Sequence, residues 1–374
     1  MEFTLSTKPL KQAVSMSVIG GNITNANPRS MIIELTADKT TLKLNTQSTG
    51  IKAEVRLHGT GNDESASFLA DINLFKSLIN SISASQVTLC FEENCLKIKA
   101  GKTTLSVERD DNWNGMSLAA PVVPSAEAIE SADNVDVTGW KYVKDHQAYA
   151  LSKATKPSPV YTYFFFGEDS DVISGDYVHS LFNTSKNGQL DKNCLVSPFI
   201  VNLMATMPTD AKFVLGDVYT VVVKADSYEY YAQLEFVTDA TTVSAYPHEV
   251  ILGLMAGNDA NGVTLEIGEL NAALNQATLL TSAVEPEIGV EVKTNELRIK
   301  DNNVDSIITA EGEVSEPYSL TFDLTIFKSV INKSPDNKIT IYPSVSEGEI
   351  VGITIVGDSF TTVLGSKVDD VDVS

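Results

Sequence analysis

The chain has 374 residues, 43% of them hydrophobic, with 27 lysines and arginines against 49 aspartates and glutamates, for a formal net charge of −22. That length exceeds one ordinary domain and that apolar fraction supports buried cores, so two or three ordered domains are expected. No apolar run approaches the roughly 18 residues of a membrane span, three cysteines are too few for a disulfide framework, and the net charge argues against nucleic acid unless cations gather on one surface.

Residues 2–6 alternate as a strand, and the start of the chain lacks the layout of a signal peptide, so a reducing cytoplasm is the expected compartment. A helix is predicted over 7–19, with Thr7 as cap, Pro9 in the first turn and Gly20-Gly21 as the stop. Strand patterns follow at 31–35, 41–45, 51–57 and 66–70. Then comes Asp71-Ile72-Asn73-Leu74-Phe75-Lys76-Ser77-Leu78-Ile79-Asn80, an N-cap aspartate leading an amphipathic helix. A strand, a turn and a strand over 86–99 complete this unit, and 119–125, with two prolines, reads as a linker.

The second unit is predicted as a helix over 138–151, strands at 161–166, 171–174 and 178–182, and a helix over 199–207 capped at Ser197-Pro198. Strands at 211–215, 218–224 and 229–237 end it. Phe164 to Phe166 point alternately along their strand, so some of the aromatic residues of this unit are expected to line a groove.

The third unit starts with a strand at 263–266 and a helix over 268–280, followed by strands at 290–293, 297–300, 306–311 and 319–323. It leads to Asp323-Leu324-Thr325-Ile326-Phe327-Lys328-Ser329-Val330-Ile331-Asn332, identical to the earlier decamer at six of ten positions. Strand, helix, several strands, helix and meander thus occur three times. The expected fold is α+β, three tandem domains at 1–121, 122–250 and 251–374, each with helices and antiparallel sheet.

This layout resembles the bacterial-type DNA sliding clamp, the processivity factor of the replicative polymerase. The most specific runs are residues 290–303 (VEVKTNELRIKDNN) and 100–107 (AGKTTLSV). Tyr246-Pro247-His248-Glu249-Val250 stands where the family carries a Phe-Pro-x-Tyr turn, although the second tyrosine is missing. The resemblance implies a ring of two head-to-tail subunits, with helices lining a channel that encircles double-stranded DNA without reading its sequence. It also implies a homodimer without enzymatic activity, cofactor, metal or membrane contact. Its partners would be a replicative polymerase and a clamp loader, in a bacterial cell or, for a viral member, in the host cytoplasm.

The six predicted helices carry Lys8, Lys11, Lys76, Lys141, Lys144, Lys328 and Lys333 against Asp71, Asp145, Glu266, Glu269 and Asp323. These helices total seven minus five, +2, and the rest of the chain −24. The seven lysines are the expected DNA contacts. The partner-peptide groove is expected at Tyr161, Tyr177, Val178, His179, Ile200, Val201, Val363 and Leu364. Here the family's Asp-Gly-His-Arg-Leu run appears without its arginine, as residues 176–181 (DYVHSL). The dimer contact is expected at Leu105 and Val107 against Leu279 and Leu280.

The alternative reading is a repeat-built structural β-sandwich protein, a capsid, tail or surface component. No phosphate loop, nucleophile elbow or His-Glu-x-x-His pair occurs. His58, His146, His179 and His248 are dispersed and read as structural or surface residues. Residues 301–305 (DNNVD) match the first half of a calcium loop but lack its glycine and its final glutamate, so a strand-connecting turn is expected. Cys90 and Cys95 flank a tight turn and are expected as free thiols, and the acidic end, residues 368–374, as a solvated terminus.

Overall fold

The computed structural model describes residues 1–20, 32–62, 64–109, 117–152, 159–176, 180–190, 192–255, 261–281, 286–301, 303–346 and 348–367. The first repeat comprises β1 (Glu2–Ser6), α1 (Thr7–Gly20), β2 (Ile32–Ala37), β3 (Thr41–Ser48), β4 (Ile51–His58), β5 (Thr60–Gly61) and β6 (Ala66–Asp71). It ends with α2 (Ile72–Ser81), β7 (Gln86–Phe91), β8 (Cys95–Ala100) and β9 (Thr103–Glu108). The middle of the chain follows with α3 (Ala126–Ser131), β10 (Asp133–Asn134), α4 (Val137–His146), β11 (Phe164–Phe166), β12 (Val172–Asp176), β13 (Leu181–Ser185) and β14 (Cys194–Val196). Next come α5 (Pro198–Met204), β15 (Lys212–Val214), β16 (Tyr219–Ala225), β17 (Tyr228–Leu234), α6 (Ala240–Ser244) and α7 (His248–Met255). The last repeat has β18 (Val263–Glu266), α8 (Ile267–Leu280), β19 (Glu287–Lys293), β20 (Glu296–Asp301), β21 (Val304–Thr309) and β22 (Tyr318–Asp323). It closes with α9 (Leu324–Lys333), β23 (Lys338–Ser346), β24 (Glu349–Val356) and β25 (Thr361–Gly365).

The repeated decamers fold alike for a local reason. Asp71 accepts from Leu74 N at 2.7 Å, and Asp323 from Thr325 N and Ile326 N at 2.8 and 3.0 Å, so each aspartate satisfies orphan donors of its helix. The same frame then buries Ile72, Phe75 and Ile79 on α2, and Leu324, Phe327, Val330 and Ile331 on α9. Thr7 differs from its expected role: it is the first helical residue, and its hydroxyl has no hydrogen-bond partner. The helix predicted over 138–151 ends at His146, with a separate 3-10 turn at Ala148–Ala150, and that predicted over 199–207 ends at Met204.

The chain separates into two compact units, residues 1–137 with 199–236, and residues 138–198 with 237–374. The first holds a sheet of order β5-β1-β7-β8-β9 and one of order β10-β15-β16-β17-β4-β3-β2-β6. The second holds β14-β11-β12-β13-β25-β24-β23-β18 and β21-β20-β19-β22. One plan underlies all four. The orders β1-β7-β8-β9, β10-β15-β16-β17 and β18-β23-β24-β25 correspond, as do β4-β3-β2-β6, β13-β12-β11-β14 and β21-β20-β19-β22. The eight-stranded sheets arise where β17 pairs with β4, and β25 with β13, both antiparallel.

In the second unit the long sheet is covered on both faces. One face packs into a core with α8 and α9, including Leu181, Ile341, Ile353, Ile355 and Leu364. The other lies under α6 and α7, where Phe165, Ile173, Phe182 and Val363 meet Tyr161, Tyr246 and Ile251. This double cover corrects the expectation for Phe164 to Phe166. They do alternate, yet all three are buried: Phe165 stacks on Tyr246 and His248, and Phe166 on Trp140 of α4.

Candidate functional site

The helices carry the charge pattern of interest. Lys8 and Lys11 lie on α1, Lys76 on α2, Lys141 and Lys144 on α4, and Lys328 and Lys333 on α9. Among the described residues, none of the seven forms an ion pair. Several cations on strands and turns behave otherwise. Lys97 meets Glu92 at 2.6 Å, Lys99 meets Glu2 at 2.7 Å, Lys186 meets Asp171 at 2.8 Å and Lys293 meets Glu291 at 2.7 Å. Arg298 engages Asp305, Lys338 engages Glu266 at 3.1 Å and Lys52 engages Glu235. The hydrogen bond from Lys99 holds the Glu2 carboxyl below its usual range, as that from Arg298 does for Asp305.

Two helix lysines are nonetheless positioned. Lys11 Nζ donates to Asn80 O at 3.0 Å and to Ile82 O at 2.7 Å, so it caps the C-terminal end of α2. Lys328 Nζ donates to Thr278 Oγ1 of α8 at 3.1 Å. Both partners are neutral, so each charge stays uncompensated. Glu266, expected to weaken the basic character of α8, is tied to Lys338, and Glu269 remains exposed.

The two four-stranded sets left outside the eight-stranded sheets end in unpaired edges, β9 in the first unit and β21 in the second. Leu105 on β9 is half-buried and Val107 is 3% exposed. Leu279 and Leu280 at the end of α8 are 84% and 54% exposed. Asn303, beside β21, donates to Leu280 O at 3.4 Å, so this helix end lies next to the β20–β21 turn, and Ile307 on β21 is itself 63% exposed. These open apolar side chains thus sit beside a strand edge that is unpaired among the described residues.

A further apolar region borders α7. Ser344, Gly352 and Thr354 share the face toward α7, where Thr354 Oγ1 lies 3.5 Å from Leu254 O, while the register shift beside Val345 puts Ile350 on the other face. Val345 pairs with Ile350 across the β23–β24 hairpin. Val345, Ile350 and Val250 of α7 are exposed, Leu254 is half-buried, and Val363 is buried beneath α7.

No family model matches the sequence, and no curated protein matches it. Solved structures do. The β subunit of DNA polymerase III from Pseudomonas aeruginosa superposes with a TM-score of 0.75 at 12% identity, covering 98% of this chain and 100% of that one. A putative DNA polymerase III β subunit from Eubacterium rectale gives 0.75 at 15% identity over 98% and 99% of the two chains. The DNA polymerase sliding clamp from Bacillus subtilis gives 0.72 at 14% identity over 99% of each. The fold is that of the DNA sliding clamps.

Within the clamp fold the expected groove residues divide. Tyr177, Val178 and His179 lie outside the described residues. Ile200 and Val201 on α5 are buried, and both belong to the first unit. Tyr161 is 7% exposed, tilted 5.5 Å from Tyr246, whose phenol is pushed strongly upward by burial. Val363 and Leu364 face opposite sides of the sheet, because consecutive strand residues must. Only Val363 lies under α7, and Leu364 belongs to the core of α8 and α9. The sequence reading missed α7, whose Val250 is exposed and whose Leu254 is half-buried. The signal was a segment with apolar residues on more than its buried side.

Other expectations resolve simply. Cys90, Cys95 and Cys194 are free; the cross-strand partner of Cys90 is Lys97, and its thiol donates to Glu2 at 3.2 Å. Among the described residues, no group of His, Cys, Asp or Glu suits a metal ion. Asp301 accepts from Thr281 and Asp305 from Arg298, so both carboxylates of the calcium-like run serve the β20–β21 turn, while Asn302 is outside the described residues. Residues 368–374 are also outside them. Among the described residues, no helix is long and apolar enough to cross a membrane.

Proposed function

We propose that this protein is a DNA sliding clamp, a processivity factor without enzymatic activity that encircles duplex DNA and tethers a replicative polymerase. The observation that carries the reading is the partition of cations. Many strand and turn cations are matched with carboxylates, although among the described residues Lys43, Lys224 and Lys300 are not, while all seven helix lysines keep uncompensated charge on a chain of net −22. Such lysines offer phosphates a weak, sequence-independent, salt-screened contact, which lets a ring slide.

The pairing rule of the sheets supports a head-to-tail ring of two chains with three domains each, at 1–121, 122–250 and 251–374. The last strand of one repeat joins the strand equivalent to β4 of its neighbour, as β17 joins β4 and β25 joins β13. The same rule leaves β9 to join β21 of a second chain. Leu105 and Val107 of β9, with Leu279, Leu280 and Ile307 of the second chain, would be covered by the contact. Closure at two such contacts leaves no open end. The cytoplasm is the compartment where this work is done, and a loader opens the ring.

Partner peptides would dock along α7, beside the sheet face that carries Val363. A topological test needs no loader. Dimers dissociated by dilution and re-formed by concentration with nicked circular plasmid should co-elute with it in high salt, and cutting the circle should release them. Equal retention on linear DNA would defeat the ring reading.

A further inference from the structure

The two decamers share six residues, and the fold accounts for only three of them. Asp71 and Asp323 cap their helices, while Phe75, Ile79, Phe327 and Ile331 fill the cores. The other three identities are Lys76 and Lys328, Ser77 and Ser329, and Asn80 and Asn332. None of these six side chains is buried, so packing does not ask for these residue types, and any polar residue would suit a solvated face. Exposed positions do differ elsewhere in the decamers, with asparagine at 73 and threonine at 325. At roughly 100° per residue, the lysine, serine and asparagine of each copy fall within about 100° of helix circumference. Each trio therefore presents an ammonium, a hydroxyl and a carboxamide on one face.

The α9 trio borders a cleft of about 490 Å³, shared with Thr278 and Thr281 of α8 and with Lys333. Thr278 Oγ1 gives its own proton to Leu274 O at 2.7 Å, so it accepts from Lys328 Nζ at 3.1 Å. That contact steadies the ammonium and leaves two of its three protons unused. Beside the α2 trio, Lys11 Nζ of α1 is bonded to Asn80 O and sets a second cation there. Among the described residues, the side chains of Ser77, Asn80, Ser329 and Asn332 make no hydrogen bond, and neither Lys76 nor Lys328 meets a carboxylate. Asp71 and Asp323 are engaged as caps, and Asp301 takes the Thr281 proton at 2.9 Å. The corresponding helix of the middle repeat, α5, has no lysine. The chain thus carries two such faces, one in each compact unit.

We propose that each trio is a seat for one backbone phosphate of duplex DNA, in which the serine and asparagine position the phosphate that the lysine attracts. The inference rests on the proposed clamp and deepens it. Lysines alone give a contact that salt removes, whereas neutral donors give one that salt leaves in place. A repeating polyanion suits a seat that is itself repeated.

The test uses the full-length protein and a short fluorescein-labelled linear duplex, read by fluorescence anisotropy from low to moderate salt. Ser77→Ala, Asn80→Ala, Ser329→Ala and Asn332→Ala together should weaken binding about three- to tenfold at every salt concentration. The slope of log Kd against log salt should not change. Lys76→Met with Lys328→Met should instead flatten that slope by about two units. Ser77→Ala with Ser329→Ala should show part of the loss, and Ser77→Thr with Ser329→Thr, which keeps the hydroxyl, should recover most of it. Circular dichroism checks that each of these surface variants is folded. If the fourfold alanine variant binds as the parent does, or if its loss vanishes as salt rises, the seats are overturned. A lysine pair that still flattens the slope then leaves the proposed clamp standing. If neither set of variants changes binding, or the parent binds no duplex, the DNA-facing reading of the helices fails and the inference with it.

Discussion

Replacing Leu279 and Leu280 together by aspartate should separate the chain into folded monomers. Both side chains are largely in solvent in the single chain, 84% and 54% exposed, so they cost the fold little when changed. In the proposed ring they are covered. Fully burying a leucine is worth about 1.5–3 kcal/mol, so with these exposures the pair contributes about 2–4 kcal/mol to each contact. A head-to-tail ring of two chains has two contacts, which doubles the loss to about 4–8 kcal/mol. Aspartate adds the penalty of desolvating a carboxylate. Even the lower figure raises the dimer Kd about a thousandfold. Sedimentation velocity across a dilution series reads this directly, against a chain mass of 40.3 kDa. The double variant should sediment as monomer where the unaltered protein is dimeric, with an unchanged circular dichroism spectrum. A variant that dimerises as tightly as the parent would refute the contact, and a parent that never dimerises would refute the ring.

Changing Lys8, Lys76, Lys141, Lys144 and Lys333 to glutamate should leave the dimer intact but abolish salt-sensitive binding to linear DNA at low salt. Every lysine withdrawn from a phosphate should flatten the salt dependence by about one unit of slope. Lys11 should behave differently, because it caps α2 through Asn80 O and Ile82 O. Lys11→Met should cost about 1–2 kcal/mol in urea unfolding, whereas Lys8→Met should be nearly silent. Tyr231 tests the pH response. Burial and the hydrogen bond to Glu229 push its phenol up to about 12, above its unfolded value near 10. The unfolded chain therefore loses this proton first, so stability present below pH 10 falls as pH rises toward about 12. Tyr231→Phe should remove that share of the loss in denaturant titrations at alkaline pH.

The sequence disclosed most where it repeats itself. The decamers led by Asp71 and Asp323 gave two helices, their caps and their buried faces correctly, because capping and helical spacing are local. Three copies of the strand–helix plan were legible for the same reason. What depends on long-range pairing was not. No local pattern shows that β17 continues into β4 or β25 into β13, so the sharing of the middle repeat between two compact units was hidden. Burial of all three phenylalanines in β11 was hidden too, since a second cover comes from α6 and α7, more than seventy residues later. The groove suffered most. Val363 and Leu364 are both apolar in the sequence, and only the side covered by α7 separates one from the other.

The charge of the chain acquires its meaning at the same level. A net charge of −22 taken as one number argues against DNA. The structure divides that number. Carboxylates on strands neutralise neighbouring lysines and arginines, as with Glu2 and Lys99, Glu291 and Lys293, or Asp305 and Arg298. The seven helix lysines remain without a counter-charge among the described residues, and two of them are held by neutral acceptors rather than by carboxylates. A protein that must hold DNA without gripping it needs this arrangement. Strong local ion pairs would quench the helix charge, and a uniformly basic surface would bind DNA from outside and stall. In the proposed clamp, sparse, unpaired helix lysines would leave the phosphate contacts weak and interchangeable, so retention would have to come from closure.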